Sequence, residues 1–234
     1  MDIKKKIIGT IYNPTFPRSG NGFLLRGLNH YFKSEMRVGS EHKGSGHFSL
    51  EESNFIKHHD FGLMKNEEGL EVDANLRYVV QYRHPLPSLV SFYEFTCKNH
   101  SIDDSLTTWD NFLISQLDYW KKFMHKWTVL GSNALKIEYD DLNENTQQVI
   151  KRVIQFMTRD ELVNEIDLRN ATKYTRSQFI RYNSLDLENP NIAPRDLSKF
   201  KYFDKNKFSE IEHKLSDEYL EPANIRRIFD INEK

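Results

Sequence analysis

The sequence predicts an α/β fold with a mostly parallel central sheet that is flanked by helices on both faces. Short runs of β-branched or apolar residues occur at 7–12, 54–57, 78–82 and 134–139, and stretches with helical spacing separate them. Strands that alternate with helices usually pair in parallel, because each crossover helix packs back onto the sheet. The chain has 234 residues, of which 38% are hydrophobic, so it is long enough to bury such a core.

The first predicted strand leads into a loop at residues 16–22 with the sequence Phe-Pro-Arg-Ser-Gly-Asn-Gly, and an apolar pattern with helical spacing follows. The loop therefore precedes a helix N-terminus, where free backbone N–H groups and the helix dipole favour a phosphate or sulfate. Ser19 and Gly20 let the backbone approach an anion, and Arg18 adds a cation. The loop lacks the lysine of the Gly-x-x-x-x-Gly-Lys-Ser/Thr nucleotide loop, so we expect an anion-binding loop of another kind.

Polar side chains stand at the ends of the other predicted strands. The second, third and fourth strands end at or next to His59, Arg83 and Tyr139. In parallel sheets, ligands bind at the carboxyl ends of the strands. We therefore expect one site that brings together Arg18, His59, Arg83 and Tyr139.

The remaining segments are predicted from composition and spacing. Residues 33–53 are polar and contain several glycines, which is typical of a surface loop that acts as a lid or binding segment. An apolar stripe over 109–127 predicts a long core-facing helix, and the alternative is that one of its tryptophans stacks on a ligand. We predict further helices over 149–157, a shorter one around 162–166, an irregular segment at 184–200 and a closing helix over 208–219.

Composition excludes several classes of protein. Lys and Arg number 33 and Asp and Glu number 34, which gives a net charge of -1, so no nucleic-acid partner is expected. The single cysteine, Cys97, excludes an internal disulfide and fits a reducing compartment. No run approaches the ~18 apolar residues that span a bilayer, and Gly9 and Pro14 interrupt the first apolar run too early for a signal peptide. We expect a cytoplasmic protein without integral membrane association.

Four motifs together resemble those of the sulfotransferases that use 3′-phosphoadenosine 5′-phosphosulfate (PAPS). Residues 16–21 resemble their 5′-phosphosulfate loop, and the Lys-His-His-Asp at 57–60 is similar to the Lys-Ser/Thr-His segment that supplies the catalytic base. Arg83-His-Pro, with Ser91 eight residues after the arginine, is similar to their 3′-phosphate motif. Residues 137–142 are similar to their Tyr-Glu-Asp-Leu strand end. The motifs occur in the family's order.

This resemblance implies a P-loop nucleotide-kinase-like sulfotransferase fold in a single domain over 1–234. It implies transfer of a sulfuryl group from PAPS to an acceptor, with PAP (adenosine 3′,5′-bisphosphate) as product and no metal. The catalytic residues that it implies are His59, Arg18 and Lys57. The residues that it implies for the nucleotide are Arg18, Ser19, Gly20, Asn21, Gly22, Phe23, Arg83, Ser91, Tyr139, Thr172 and Tyr174.

Several details stay open at this point. His59 aligns with the family histidine, and His58 is the alternative base. The Arg-Lys-Gly motif that closes the 3′-phosphate site in many members is absent, and Arg195, Lys199 or Lys201 could replace it. The acceptor itself is not identified: we expect a small molecule or saccharide that offers a hydroxyl in preference to an amine, and a lipid headgroup or a peptide is the alternative. The oligomeric state is not predicted.

Two other functions fit parts of the pattern. A nucleoside or small-molecule kinase of related topology would need a loop lysine, which is missing, and a carboxylate such as Asp140 or Asp141 for Mg²⁺. A non-catalytic relative that kept the nucleotide pocket is the second alternative. Retention of both Arg18 and His59 favours an enzyme over that relative.

Overall fold

The computed structural model describes residues 6–40, 49–100, 102–160, 162–182 and 195–229. Its centre is a five-stranded sheet in which every neighbouring pair is parallel, in the order β2-β3-β1-β4-β5. The predicted α/β class is confirmed. The strands are β1 (Ile11–Pro14), β2 (Val38–Ser40), β3 (Phe55–His58), β4 (Arg77–Tyr82) and β5 (Ala134–Glu138).

Seven α-helices are found in the described part of the chain. None of them combines the length and apolar composition that crossing a membrane would require. Short 3-10 turns lie at Lys33–Glu35, Leu63–Lys65 and Leu197–Lys199, and a π turn at Ser216–Leu220. The helices are α1 (Asn21–Phe32), α2 (Pro85–His100), α3 (Leu106–Trp127), α4 (Tyr139–Glu144), α5 (Thr146–Thr158), α6 (Glu165–Tyr182) and α7 (Lys205–Leu215).

The sheet has a separate hydrophobic core on each face, because side chains alternate along a strand. Tyr78, Val80 and Tyr82 of β4 pack in one core with residues of α2, α3 and α7. Val79 packs in the other core with residues of α1, α5 and α6. The stripe on α3 lies in the first core, so its prediction as a core-facing helix is confirmed.

The structure differs from the sequence prediction in the stretch 33–53. This stretch contains a 3-10 turn and the edge strand β2, and its residues 41–48 lie outside the described residues. The strand was missed because Val-Gly-Ser has no apolar run of its own. It pairs only with β3 in the sheet.

A second difference concerns α6, which is longer than the predicted helix around 162–166. It spans Glu165–Tyr182 and buries Leu168 and Ala171, whereas Leu162 and Ile166 are 69% and 71% exposed. The buried face begins further along the chain than the apolar pattern suggested. Of the predicted irregular segment 184–200, residues 184–194 lie outside the described residues, and the Leu197–Lys199 turn follows.

Glu138 connects the end of β5 to α4. Its Oε2 accepts hydrogen bonds from the backbone N–H groups of Asp140 (2.6 Å) and Asp141 (3.0 Å), which caps the helix. Its Oε1 is buried and bonds to none of the described residues. Burial, with a contribution from Asp140, raises the pKa of Glu138 to about 7.

We predict that Glu138→Gln stabilises the protein above neutral pH but not at pH 4.5. The folded protein holds the Glu138 proton more tightly than the unfolded chain does, so ionisation between about pH 4.5 and 7 destabilises the wild type. The amide oxygen of Gln can still accept one capping bond. In urea unfolding, the difference in unfolding free energy between the variant and the wild type should increase in favour of the variant by up to ~3 kcal/mol from pH 4.5 to pH 8. An advantage that is the same at both pH values would contradict the raised pKa.

Candidate active site

The loop between β1 and α1 extends the sheet and then turns sharply. The N–H of Thr15 donates to His58 O (2.8 Å), and that of Phe16 donates to Gln81 O (2.9 Å). Arg18 and Gly20 then adopt left-handed backbone conformations, with φ of 65° and 81°. A Cβ on Gly20 would lie 2.8 Å from the ring of Tyr139, so this position requires glycine for both its φ and its space.

Three buried amide side chains fasten this loop to the sheet. The Nδ2 groups of Asn13 and Asn21 both donate to Gln81 Oε1 at 3.2 Å, and Asn21 Nδ2 also donates to Asn13 Oδ1. Gln81 Nε2 donates to the carbonyl of Ser19 (3.4 Å). Sequence reasoning missed Asn13 and Gln81, although an amide inside an otherwise apolar strand was the available signal. Asn21, predicted for the nucleotide, directs its amide into this network.

The two predicted arginines lie where the carboxyl ends of the parallel strands meet, on the side of the sheet called the sheet edge (distinct from the edge strand β2). Arg18 Nε donates to Ser91 Oγ (3.0 Å), which brings together residues 73 positions apart. The Arg83 guanidinium lies 4.0 Å from the centroid of the Tyr139 ring, and its side chain is only 8% exposed. Its Nε is buried and bonds to none of the described residues. Burial lowers the pKa of Arg83, while Tyr139 acts to raise it.

Lys57 is a half-buried cation without a counter-charge. It lies beside Asn13 in the register of β3 and β1, so both side chains point to the face that α1 covers. In the part of the chain that the structure describes, it has no ion-pair or hydrogen-bond partner, and burial lowers its pKa. Ser19 Oγ is also buried without a partner there. Unsatisfied donors of this kind fit an oxyanion such as phosphate or sulfate.

The adjacent histidines have different environments. His59 is partly exposed, and its Nδ1 lies 2.7 Å from the carbonyl oxygen of Thr15. Because a carbonyl only accepts, this contact assigns the proton to Nδ1 and leaves Nε2 as the basic nitrogen. His58 is only 7% exposed, and its Nδ1 accepts from the N–H of Asp60 (2.8 Å). His59 therefore presents an imidazole at the sheet edge, whereas His58 bonds to the backbone of the same turn.

Two predicted nucleotide residues lie away from the loop. Thr172 donates to Leu168 O within α6 (2.9 Å), and Tyr174 stacks on His30 in the last turn of α1, at 4.5 Å between centroids. The loop is at the other end of α1. Phe179 is the α6 aromatic that contacts Phe23 there, at 5.4 Å.

Two predicted nucleotide residues in the first turn of α1 differ in burial. Phe23 is 5% exposed and belongs to a hydrophobic core. Gly22 faces open space, since a Cβ there would contact nothing within 4 Å.

The three candidates for closing the 3′-phosphate site differ in position. Arg195 lies close enough to Arg83 to lower its pKa, and it pairs with Glu94 (2.5 Å). Lys199 pairs with Asp196 and Lys201 with Asp104 at exposed positions. Arg195 is therefore the candidate that the fold brings to Arg83. Among the described residues, no group of three or more His, Cys, Asp or Glu side chains could hold a metal ion.

The chain is similar to known sulfotransferases in sequence. The family model described as the sulfotransferase domain matches residues 15–232. A 3-beta-hydroxysteroid sulfotransferase of Cavia porcellus is 28% identical over 125 residues, which are 50% of this chain and 42% of that protein. The alignment thus spans less than half of that relative.

A solved structure shows the same fold. It is a mouse sulfotransferase, SULT7A1, complexed with PAP, and it superposes with a TM-score of 0.65. The two chains are 18% identical, and the superposition covers 92% of this chain and 87% of the mouse one. Since the family model covers most of the sequence and the fold agrees, this chain belongs to the sulfotransferase domain family.

Proposed function

We propose that the protein transfers the sulfuryl group of PAPS to a hydroxyl of a small-molecule or saccharide acceptor, with His59 as general base. The observation that carries this proposal is the set of unpartnered polar groups beside a base at one sheet edge. Lys57 and the Nε of Arg83 have no partner among the described residues, and His59, whose Nδ1 is bonded to Thr15, follows the end of β3 at the same side of the sheet. Family membership supports the same reaction.

The nucleotide would be held by two groups of residues. Arg83 and Ser91 bind the 3′-phosphate, and the backbone N–H groups of residues 20–22 bind the 5′-phosphosulfate at the start of α1. Tyr139, which already stacks on Arg83, borders the same site. The mouse structure in complex with PAP supports this nucleotide. When bound, PAPS supplies an activated sulfuryl group and a stable bisphosphate leaving group.

The cations stabilise the charge that forms during transfer. As the acceptor oxygen bonds to sulfur, the bond from sulfur to the bridging oxygen breaks, and its electron pair stays on the 5′-phosphate. Arg18, Lys57 and the N-terminal end of α1 lie at the sheet edge where that phosphate would bind. The half-buried position of Lys57 strengthens its interaction with an anion, because water screens it less.

His59 takes the proton that the acceptor hydroxyl loses. Its Nδ1–H bond to Thr15 fixes the tautomer, so Nε2 receives the proton and becomes part of an imidazolium. The bond to Thr15 persists in that imidazolium and stabilises it. A hydroxyl acceptor is supported by the name of the curated relative, a 3-beta-hydroxysteroid sulfotransferase.

We predict that His59→Gln lowers sulfuryl transfer by ~100-fold or more, because the general base is lost. The assay uses PAPS with labelled sulfur and a panel of a phenol, an aliphatic alcohol and a saccharide. Binding of PAP, measured by calorimetry, should change less than about twofold, since the base does not hold the nucleotide.

His58→Asn is the matched control, because the Asn oxygen can accept the Asp60 N–H in place of the ring nitrogen. It should keep transfer near the wild-type rate. Full activity of His59→Gln, or loss of activity in His58→Asn alone, would overturn the assignment of the base.

We predict that Lys57→Met does not destabilise the unliganded protein at pH 7 but lowers transfer by ~100-fold. Burial of the charge lowers the stability of the folded protein at every pH below the depressed pKa of Lys57. This penalty disappears as the pH rises from that pKa to the higher pKa that Lys57 has in the unfolded chain. The measurements are thermal unfolding without ligand at pH 7 and labelled-sulfate transfer. A destabilised variant with normal transfer would show that Lys57 has a structural role instead.

A further inference from the structure

His59 contacts both a residue that precedes it in the sequence and residues that follow it. Its Nδ1 bonds to Thr15 O, its ring lies 5.2 Å from that of Phe61, and its carbonyl accepts from the Tyr119 hydroxyl. Phe61 begins a return segment, residues 61–70, that leads back toward α3. The direction in which the chain leaves His59 therefore decides where the imidazole points.

Asp60 sets that direction. Its backbone has a φ of 53°, in the left-handed region that non-glycine residues seldom adopt, and its side chain is fully buried. Its Oδ1 accepts from the N–H of Leu70 (2.6 Å). Its Oδ2 accepts from Trp127 Nε1 (2.9 Å) and pairs with Lys126 Nζ at 3.0 Å. One carboxylate thus joins the turn after His59 to both the return segment and the C-terminal end of α3.

The return segment is built around this carboxylate. Gly69 has a φ of 69°, and a Cβ there would lie 2.2 Å from Asp60 Oδ1. A Cβ on Gly62 would lie 2.6 Å from the Cα of Gly69. Both glycines are therefore needed for the segment to close onto Asp60. Such close packing indicates a single geometry for the turn that carries His59.

We propose that Asp60 is a positioning residue for sulfuryl transfer, which anchors the turn after His59 to α3 and so keeps Nδ1 of His59 on Thr15 and Nε2 toward the acceptor. This proposal rests on the proposed function of His59 as the base. Asp60 itself does not contact the acceptor or the nucleotide. Its effect on transfer passes through the orientation of the imidazole.

The test leaves Asp60 in place and removes its partners one at a time. Trp127→Phe deletes the indole N–H and keeps an aromatic ring, and Lys126→Met deletes the charge. Trp109→Phe is the matched control, because this tryptophan lies in the same helix, is equally buried, and its Nε1 bonds to none of the described residues. His59→Gln assigns the His59 signals among the nine histidines.

Two readouts distinguish positioning from a loss of stability. Long-range ¹H–¹⁵N spectra report the tautomer of His59, which should be protonated at Nδ1 in the wild type and in Trp109→Phe. Trp127→Phe and Lys126→Met should show a mixture of tautomers and a kcat for transfer ~10-fold to 100-fold lower. Their affinity for PAP should stay within about twofold of wild type.

The proposal is overturned if both partner variants keep the wild-type tautomer and kcat, or if Trp109→Phe loses transfer to the same extent. Either result rejects the positioning role alone when His59→Gln is inactive, because the role of His59 as the base then still holds. Failure of the proposed function appears instead as a His59→Gln variant that transfers at the wild-type rate, and it removes the basis of the positioning role as well.

Discussion

The buried amide network beneath the loop is the interaction on which the rest of the site depends. Asn13, Gln81 and Asn21 come from β1, β4 and α1, and their bonds hold the start of the helix against the central strand β1 and its neighbour β4. The loop above them contains left-handed residues and a glycine pressed against Tyr139, which is a conformation that needs external support. With that support, the donors of the loop are oriented before any anion arrives, which is what electrostatic stabilisation of a transition state requires.

Two cations at the same edge of the sheet form no direct ion pair with a described residue, although Asp140 and Glu138 lie near enough to Arg83 to raise its pKa. Lys57 and Arg83 both have a pKa lowered by burial, so each opposes folding to some extent. The two hydrophobic cores on either face of the sheet offset this penalty. A protein that keeps such charges unpaired gains affinity for an anion that neutralises them. Stability and function are therefore opposed at this edge, as is common at active sites.

Much of this architecture could be predicted from the sequence, because apolar runs and helical spacing are local signals. They placed three of the five strands to within one residue, and they placed the first strand at 7–12, a few residues before its position at Ile11–Pro14. They also predicted the convergence of Arg18, Arg83 and Tyr139. The edge strand Val38–Ser40 was missed because pairing with β3 defines it. The contact of Asp60 with Trp127 joins residues 67 positions apart, and no local sequence pattern around either residue indicates it. The residues of α6 that contact the start of α1 also could not be predicted, since they depend on which turn of one helix packs against the other.

The central claim is that this sheet edge binds a nucleotide through a 3′-phosphate, and thermal unfolding with PAP, AMP and ATP in the presence of a chelator tests it most directly. PAP at about 100 times its Kd should add ~2.7 kcal/mol to the free energy of unfolding. For a domain of this size that is roughly 5–10 °C in Tm. AMP, which lacks the 3′-phosphate, should shift Tm far less at the same concentration. Equal shifts for AMP and PAP, or a shift for ATP alone, would contradict the account.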